Sequence, residues 1–292
     1  MQREISSAIK KYWFMFLPAQ LLLSSYKYIE YTILQLVLYI ITLIFMFLYL
    51  QRKYPEVFQN KQRPSFKNVI EIVMLMWLGR ILTGILSLII NMFFPINTEG
   101  ILSGFSWWDQ FYLAILVAPF LEESYFRGIA LHAMLPLGVT NAFIVNSLIF
   151  SLAHSGLPNI FNAFIVGFLF TYAAYKYGII WSVFFHALGN AFSLFLSYVI
   201  INDRVIFTLG SQNVLFTRLL TFVLLLVTIY CLIYFWRKIR KNQHDLKGFW
   251  AEYKPNRAQL VEILKNKWML WYVILHLIGT VLSVLVLSGL IS

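Results

Sequence analysis

The chain has 292 residues, of which 60% are hydrophobic and only 12% are charged, and its mean hydropathy is +0.75. Soluble proteins carry about 25% charged residues, so this composition excludes an ordinary soluble domain and predicts a polytopic membrane protein. The net charge of +11 does not indicate nucleic acid, because most basic residues lie between apolar stretches, where they suit the lipid bilayer and membrane orientation.

Nine apolar stretches follow one another, and each is interpreted as a helix because a span needs about 20 apolar residues. The predicted spans cover residues 12–26, 31–50, 69–94, 107–130, 138–155, 159–175, 179–200, 214–235 and 268–290. The first rises only about 22 Å, so it is either a short span or an interfacial helix. The predicted fold class is all-α: a polytopic transmembrane bundle of eight to nine helices.

Lysine and arginine are concentrated at the N terminus and in the connections 51–67 and 236–267. Cytoplasmic connections retain an excess of these residues, so all three regions are predicted to lie inside. Nine spans then put the C terminus outside, whereas eight put the N terminus outside or along the membrane surface. The short connections predict one membrane-embedded domain over residues 1–292.

Two adjacent carboxylates and an arginine interrupt the fourth span, in the sequence LEESYFRGIA at residues 121–130. A charge at bilayer depth costs roughly 2.5–3.5 kcal/mol, so Glu122, Glu123 and Arg127 are expected to face the protein interior or a wet cavity. Glu123 and Arg127 are four residues apart, the favourable order for an ion pair, while Glu122 points about 100° away. One carboxylate is therefore predicted to be neutralised while its neighbour stays available.

Two further polar clusters follow on separate spans. Phe150 and His154 lie in FSLAH, and His186 and Asn190 lie in HALGN with the four-residue spacing of one helical face. Peptide hydrolysis inside a membrane needs a base that activates water and donors that stabilise an oxyanion. The clusters supply candidates for each role.

Straight helices would keep Glu122 and His154 apart, at opposite ends of their spans. Their convergence therefore requires a tilted, broken or shifted helix. Prolines supply places for such a break, at Pro119, Pro136 and Pro158.

Three motifs stand intact and in order: EExxxR at Glu122, Glu123 and Arg127, FxxxH at Phe150 and His154, and HxxxN at His186 and Asn190. In these motifs the chain resembles the CPBP intramembrane proteases, also called the Abi family, which include the type II CAAX prenyl endopeptidases. The resemblance covers about residues 105–200, the expected catalytic core. It implies a glutamic-type endopeptidase in a cell membrane, with the bacterial plasma membrane favoured, that cleaves a membrane-associated peptide or protein without a metal or other cofactor.

The resemblance also implies a role for each motif residue. Glu122 and His154 are expected to activate water, and His186 and Asn190 to hold the oxyanion. The remaining motif residues are expected to support the site: Glu123, Arg127 and Phe150.

Other interpretations stay open from the residues alone. Two histidines and a glutamate are a plausible zinc ligand set for a membrane protease, although HExxH is absent. A serine protease is weaker, because no serine near the motifs lies in GxSxG. A scaffold that binds and regulates a partner membrane protein needs no catalysis, and it would tolerate loss of Glu122 or His154. A transporter ranks last, since no inverted repeat is apparent.

Four polar residues lie outside the motifs. Arg80, inside the third span, is expected to snorkel or to pair with a buried carboxylate. His132, His244 and His276 are expected to be structural or surface residues.

Overall fold

The computed structural model of the chain describes residues 2–17, 32–59, 61–93, 107–154, 157–206, 213–242 and 254–287. Every regular element in these ranges is helical, in agreement with the predicted class. The helices before the motifs are α1 (Gln2–Lys11), which continues into a π-helical turn (Tyr12–Phe16), α2 (Thr32–Lys53) and α3 (Phe66–Phe93).

Residues 107–134 form one continuous helical stretch, named here the motif helix. Its parts are α4 (Trp107–Phe111), a first π turn (Tyr112–Val117), α5 (Ala118–Glu123), a second π turn (Ser124–Ala130) and α6 (Leu131–Met134). The remaining helices are α7 (Val139–Leu152), α8 (Leu157–Tyr177), α9 (Ile179–Ile206), α10 (Asn213–Lys241), α11 (Arg257–Leu264) and α12 (Lys267–Leu287).

Most helices coincide with the predicted spans to within two turns, but two elements differ from the prediction. The chain is already helical at Gln2–Lys11, before the first predicted span, whose residues 18–26 lie outside the described residues. The short helix α11 interrupts the predicted connection 236–267. Its N-cap is Asn256, whose side chain accepts a hydrogen bond from the backbone N–H of Gln259.

Among the described residues, three helices are long and apolar enough to cross a membrane: Phe66–Ile90, Ile179–Leu196 and Arg218–Lys241. Val139–Leu152 and Lys267–Leu282 are apolar but shorter. Only 6% of the candidate span in α10 is buried, so its large apolar side chains face outward. Surface of this kind is stable against lipid rather than water, and the chain is a membrane protein. The count of eight to nine spans stays a prediction.

Helix α8 lies at the centre of the motif region although it carries no motif. It packs against α3, α7, α9 and the second π turn. The Thr171 hydroxyl on α8 lies 3.0 Å from Asn146 Oδ1 on α7, and Asn146 Nδ2 donates to the Phe126 carbonyl at 2.6 Å. These three groups are buried, so their hydrogen bonds fix α7 and the motif helix against α8.

The two ends of the chain pack against the motif region. Helix α1 contacts α12 and the second π turn. The Tyr125 hydroxyl donates to the Ala8 carbonyl at 2.8 Å, and the Tyr272 hydroxyl donates to the Ile149 carbonyl at 2.6 Å. Helices far apart in sequence thereby form one packed unit around the motif helix.

Close packing at Gly128 generates the first prediction. A β-carbon at this position would lie 2.7 and 2.9 Å from the two methyl carbons of buried Leu50 on α2. We expect Gly128→Ala to lower the free energy of unfolding by about 1–3 kcal/mol through overpacking. Thermal unfolding in detergent measures this change.

The matched control is Gly84→Ala, since a β-carbon on Gly84 of α3 would meet nothing within 4 Å. Alanine is the better helix former, so this variant should be neutral or stabilised by about 0.5–1 kcal/mol. Equal melting temperatures for the two variants would contradict the packing argument.

Candidate active site

The first π turn and Pro119 shape the motif helix just before the glutamates. In π-helical register the Ala114 carbonyl would accept from the N–H of residue 119, but Pro119 has no N–H. Asn190 Nδ2 on α9 donates to this carbonyl at 2.7 Å. A residue of the HxxxN motif therefore binds the backbone group that the proline leaves without its π-helical partner.

Helix α7 ends earlier than the sequence predicted. Its 14 residues rise about 21 Å, less than the roughly 30 Å hydrocarbon core, so a helix of this length that starts at one surface ends short of the other. The predicted end at residue 155 is wrong: the helix stops at Leu152, and His154 lies in the turn beyond it. His154 Nδ1 is 2.9 Å from the Phe150 carbonyl, which only accepts, so in the neutral ring Nδ1 carries the hydrogen.

Glu122 lies between the two motif histidines. Its Oε2 atom is 3.9 Å from Nε2 of His154 and 3.9 Å from Nε2 of His186. This oxygen is buried and has no hydrogen-bond partner among the described residues. The short α7 and the π turns of the motif helix thus bring together two side chains that straight helices would keep apart.

Glu123 and Arg127 form the ion pair that their spacing predicts. Arg127 Nη1 is 3.1 Å from Glu123 Oε1, and both side chains are fully buried. Arg127 Nη2 donates to the Gly167 carbonyl at 3.1 Å, and its guanidinium lies 4.1 Å from the centroid of the Phe150 ring. A β-carbon on Gly167 would lie 2.8 Å from the Phe150 ring, so α8 approaches this closely only because residue 167 is glycine.

Glu123 also positions His186. His186 Nδ1 lies 2.8 Å from Glu123 Oε1, and the Ser182 hydroxyl donates a short hydrogen bond to the same carboxylate. The imidazole ring stacks on Phe170, with centroids 5.0 Å apart and planes at 19°. These contacts hold the ring so that Nε2 points toward Glu122.

Sequence reasoning missed Ser182, although a signal was present. Ser182 stands four residues before His186, and Asn190 stands four residues after it, so all three share one face of α9. Asn190 itself lies one turn beyond His186, and its hydrogen bond goes to Ala114 rather than to Glu122.

The polar residues outside the motifs have other partners. Arg80 Nη2 donates to the carbonyl of Gly189 at 3.3 Å and is not paired with a carboxylate in the described part of the chain. His132 is buried, and its Nδ1 lies 2.9 Å from the Arg127 carbonyl, as a structural residue would. His276 bonds to Tyr12, while His244 lies outside the described residues.

Residues 104–192 match the family model described as type II CAAX prenyl endopeptidase Rce1-like. The matched segment contains all three motifs and the residues that the structure brings together around Glu122. This similarity supports the CPBP family expected from the motifs. No curated protein and no solved structure matches the chain.

Similarity to this family over residues 104–192 indicates a CAAX-type membrane endopeptidase, and hence a membrane-associated peptide or protein as substrate. It gives no support to a scaffold or a zinc enzyme. Within the described ranges, no three or more His, Cys, Asp or Glu side chains are grouped so that they could hold a metal ion.

The buried Glu123 and Arg127 pair generates a prediction about stability. Arg127→Ala leaves the Glu123 carboxylate without its countercharge and should lower the free energy of unfolding by about 3–5 kcal/mol. Removing both charges, in Arg127→Ala with Glu123→Gln, should recover part of that loss. Thermal unfolding in detergent compares the single and double variants.

The control is Glu122→Gln, because Glu122 forms no ion pair with an arginine among the described residues; this variant should unfold near the wild-type temperature. Equal destabilisation by Arg127→Ala and Glu122→Gln would contradict the prediction that the Glu123–Arg127 pair stabilises the fold while Glu122 does not.

Proposed function

We propose that the protein is an intramembrane endopeptidase that hydrolyses a membrane-associated peptide or protein with water activated by Glu122 and His154. The observation that carries this proposal is the position of Glu122 Oε2, 3.9 Å from Nε2 of both motif histidines. These separations exceed a direct hydrogen bond and suit a water molecule bridging the groups.

The nitrogen that His154 turns toward Glu122 supports its role beside the carboxylate. Because Nδ1–H donates to the Phe150 carbonyl, Nε2 of the neutral ring is left as an acceptor for one hydrogen of the water. Glu122 takes the other hydrogen as the water oxygen attacks the substrate carbonyl. The protonated Glu122 then gives that proton to the leaving amide nitrogen, and the peptide bond breaks.

The oxyanion donors would come from one face of α9. His186 Nδ1–H already donates to Glu123, so the ring donates from Nε2 only when both nitrogens carry hydrogen, and two carboxylates lie beside it: Glu123 Oε1 is 2.8 Å from Nδ1 and Glu122 Oε2 is 3.9 Å from Nε2. Asn190 gives one amide hydrogen to Ala114 and keeps a second. Two donors one helical turn apart can then stabilise negative charge on the carbonyl oxygen.

We also propose that the whole chain is one membrane-embedded domain of eight to nine spans in a bacterial plasma membrane. The packing of α1 and α12 against the motif helix and α7 supports a single unit. The basic last turn of α10, with Lys238, Arg240 and Lys241, supports a cytoplasmic connection after it.

The central test is Glu122→Gln, which keeps the shape of the side chain but cannot act as the base. Loss of a positioned general base should lower the rate about 10²–10⁴-fold. Membranes from cells that carry wild-type or variant protein are compared by peptidomics, and purified proteins are compared in lipid vesicles. Peptides released by the wild type alone would support the proposal.

Glu71→Gln is the matched control, because Glu71 pairs with Lys238 on α10 at 2.7 Å and is not among the site residues. It should keep wild-type turnover. Cleavage that persists in Glu122→Gln would contradict the glutamate mechanism. Activity that is lost on adding a chelator and restored by zinc would favour a metalloprotease.

Asn190 is predicted to act on the transition state rather than on substrate binding. Loss of one oxyanion donor typically costs about 10²–10³-fold in turnover, so Asn190→Ala should lower kcat by that factor with little change in KM. Asn190→Asp should do at least as badly, since a carboxylate repels the developing charge. Steady-state kinetics in vesicles separate the two constants, and a raised KM at unchanged kcat would assign Asn190 to binding.

A further inference from the structure

We propose that a cavity of about 340 Å³ beside His154 is a specificity pocket, which takes an apolar side chain of the substrate next to the bond that is cut. This inference rests on the proposed endopeptidase function. The cavity walls come from the π-helical turn after α1, the end of α7 and one face of α12. The wall residues include Trp13, Leu152, His154, Leu275, His276 and Thr280.

The polar groups of the α12 wall are bonded among themselves. His276 Nδ1 lies 2.7 Å from the Tyr272 carbonyl, and Nε2 lies 3.0 Å from the Tyr12 hydroxyl, so each ring nitrogen has a partner. The Thr280 hydroxyl donates to the His276 carbonyl at 2.9 Å. An occupant therefore meets mainly aliphatic and aromatic surface, and a polar side chain would lose its hydrogen bonds to water on entry.

The position of the cavity indicates that its occupant is the substrate. His154 belongs both to the cavity wall and to the group around Glu122, and one third of its side chain is exposed. The side chain and the carbonyl of a residue branch from the same Cα, and neighbouring Cα atoms are about 3.8 Å apart. A substrate side chain in the cavity thus holds an adjoining carbonyl within about one residue of His154.

The size of the cavity agrees with a side chain as occupant. A volume of about 340 Å³ is at the low end of ligand pockets, which span about 300–1,000 Å³. We therefore expect the occupant to be a single side chain.

Most of the pocket lies outside the segment that matches the family model. Trp13 and the α12 residues fall outside residues 104–192, whereas Leu152 and His154 fall inside. The reacting groups and the choice of substrate residue are thereby carried by different parts of the chain: the segment that matches the family model supplies the reacting groups, and the helices near the two chain ends supply most of the pocket walls.

Gly279 offers a way to fill the pocket without disturbing the packing. It lies in the α12 wall, and a β-carbon built on it would meet nothing within 4 Å. Gly279→Leu therefore projects a branched side chain into open space. Gly84→Leu is the matched control, because Gly84 is equally unobstructed but lies on α3, away from the cavity.

The experiment profiles cleavage sites, so the natural substrate need not be known. A peptide library from digested membrane proteins is added to wild type and variants in phosphatidylethanolamine and phosphatidylglycerol vesicles, and new termini are sequenced by mass spectrometry. Wild type and Gly84→Leu should prefer large apolar residues at one position beside the cut. Gly279→Leu should shift that preference toward alanine and glycine by about tenfold, while cleavage at small-residue sites continues.

A second variant tests the pocket independently, in case the first does not fold. Leu275→Ala enlarges the pocket and should shift the preference toward larger residues. Unchanged preferences in the folded variants would overturn the pocket while leaving the endopeptidase intact. Cleavage that does not depend on Glu122 would instead overturn the proposed function.

Binding is measured separately from cleavage with N-acetyl-p-benzoylphenylalanine amide, a blocked amino acid that carries a photoreactive apolar side chain. In Glu122→Gln protein the probe should crosslink to fragments that contain Trp13 or Leu275, and Gly279→Leu should abolish this labelling. Labelling confined to other fragments contradicts the proposal. Labelling of these fragments by a phospholipid with a benzophenone acyl chain, with none by the amide, would make the cavity a lipid site.

Discussion

The buried carboxylate of Glu123 is the constraint on which the site depends. It is fully buried, so it stays charged only because groups from two helices surround it: Arg127 on the motif helix, and His186 and Ser182 on α9. Satisfying this one charge fixes the distance between the helices and the orientation of the His186 ring. The neighbouring Glu122 gains its position as a consequence, because the two residues share one rigid stretch of backbone.

Irregular helix geometry supplies the rest of the arrangement. A regular α-helix through residues 107–134 would follow the 3.6-residue repeat without interruption, whereas the two π turns change the angle at which successive side chains leave the axis. Asn190 and Asn146 then bind carbonyls in these turns, Ala114 and Phe126 respectively. Side chains from α9 and α7 thus stabilise the distortion that the site requires.

The sequence was sufficient for whatever depends on local spacing. The helical class, the apolar stretches and the pairing of Glu123 with Arg127 follow from periodicity and from a separation of four residues. The helix α11 was also readable, since Asn256 and Gln259 form a capping pattern three residues apart. The convergence of Glu122 and His154 could not be predicted in the same way, because it depends on where α7 ends and on π turns that residue spacing does not indicate. The packing role of Gly167 could not be predicted for a similar reason, because it depends on the close approach of Phe150, which belongs to another helix.

The turn that carries His154 has a consequence for the order of events. Its side chain is one third exposed, whereas Glu122 is 13% exposed and His186 only 6%. Of these three side chains His154 is the most exposed, so in the proposed reaction water is expected to reach Glu122 from the side of His154. A substrate residue seated beside His154 would cover that path, so the water consumed in hydrolysis has to be in place before the substrate arrives.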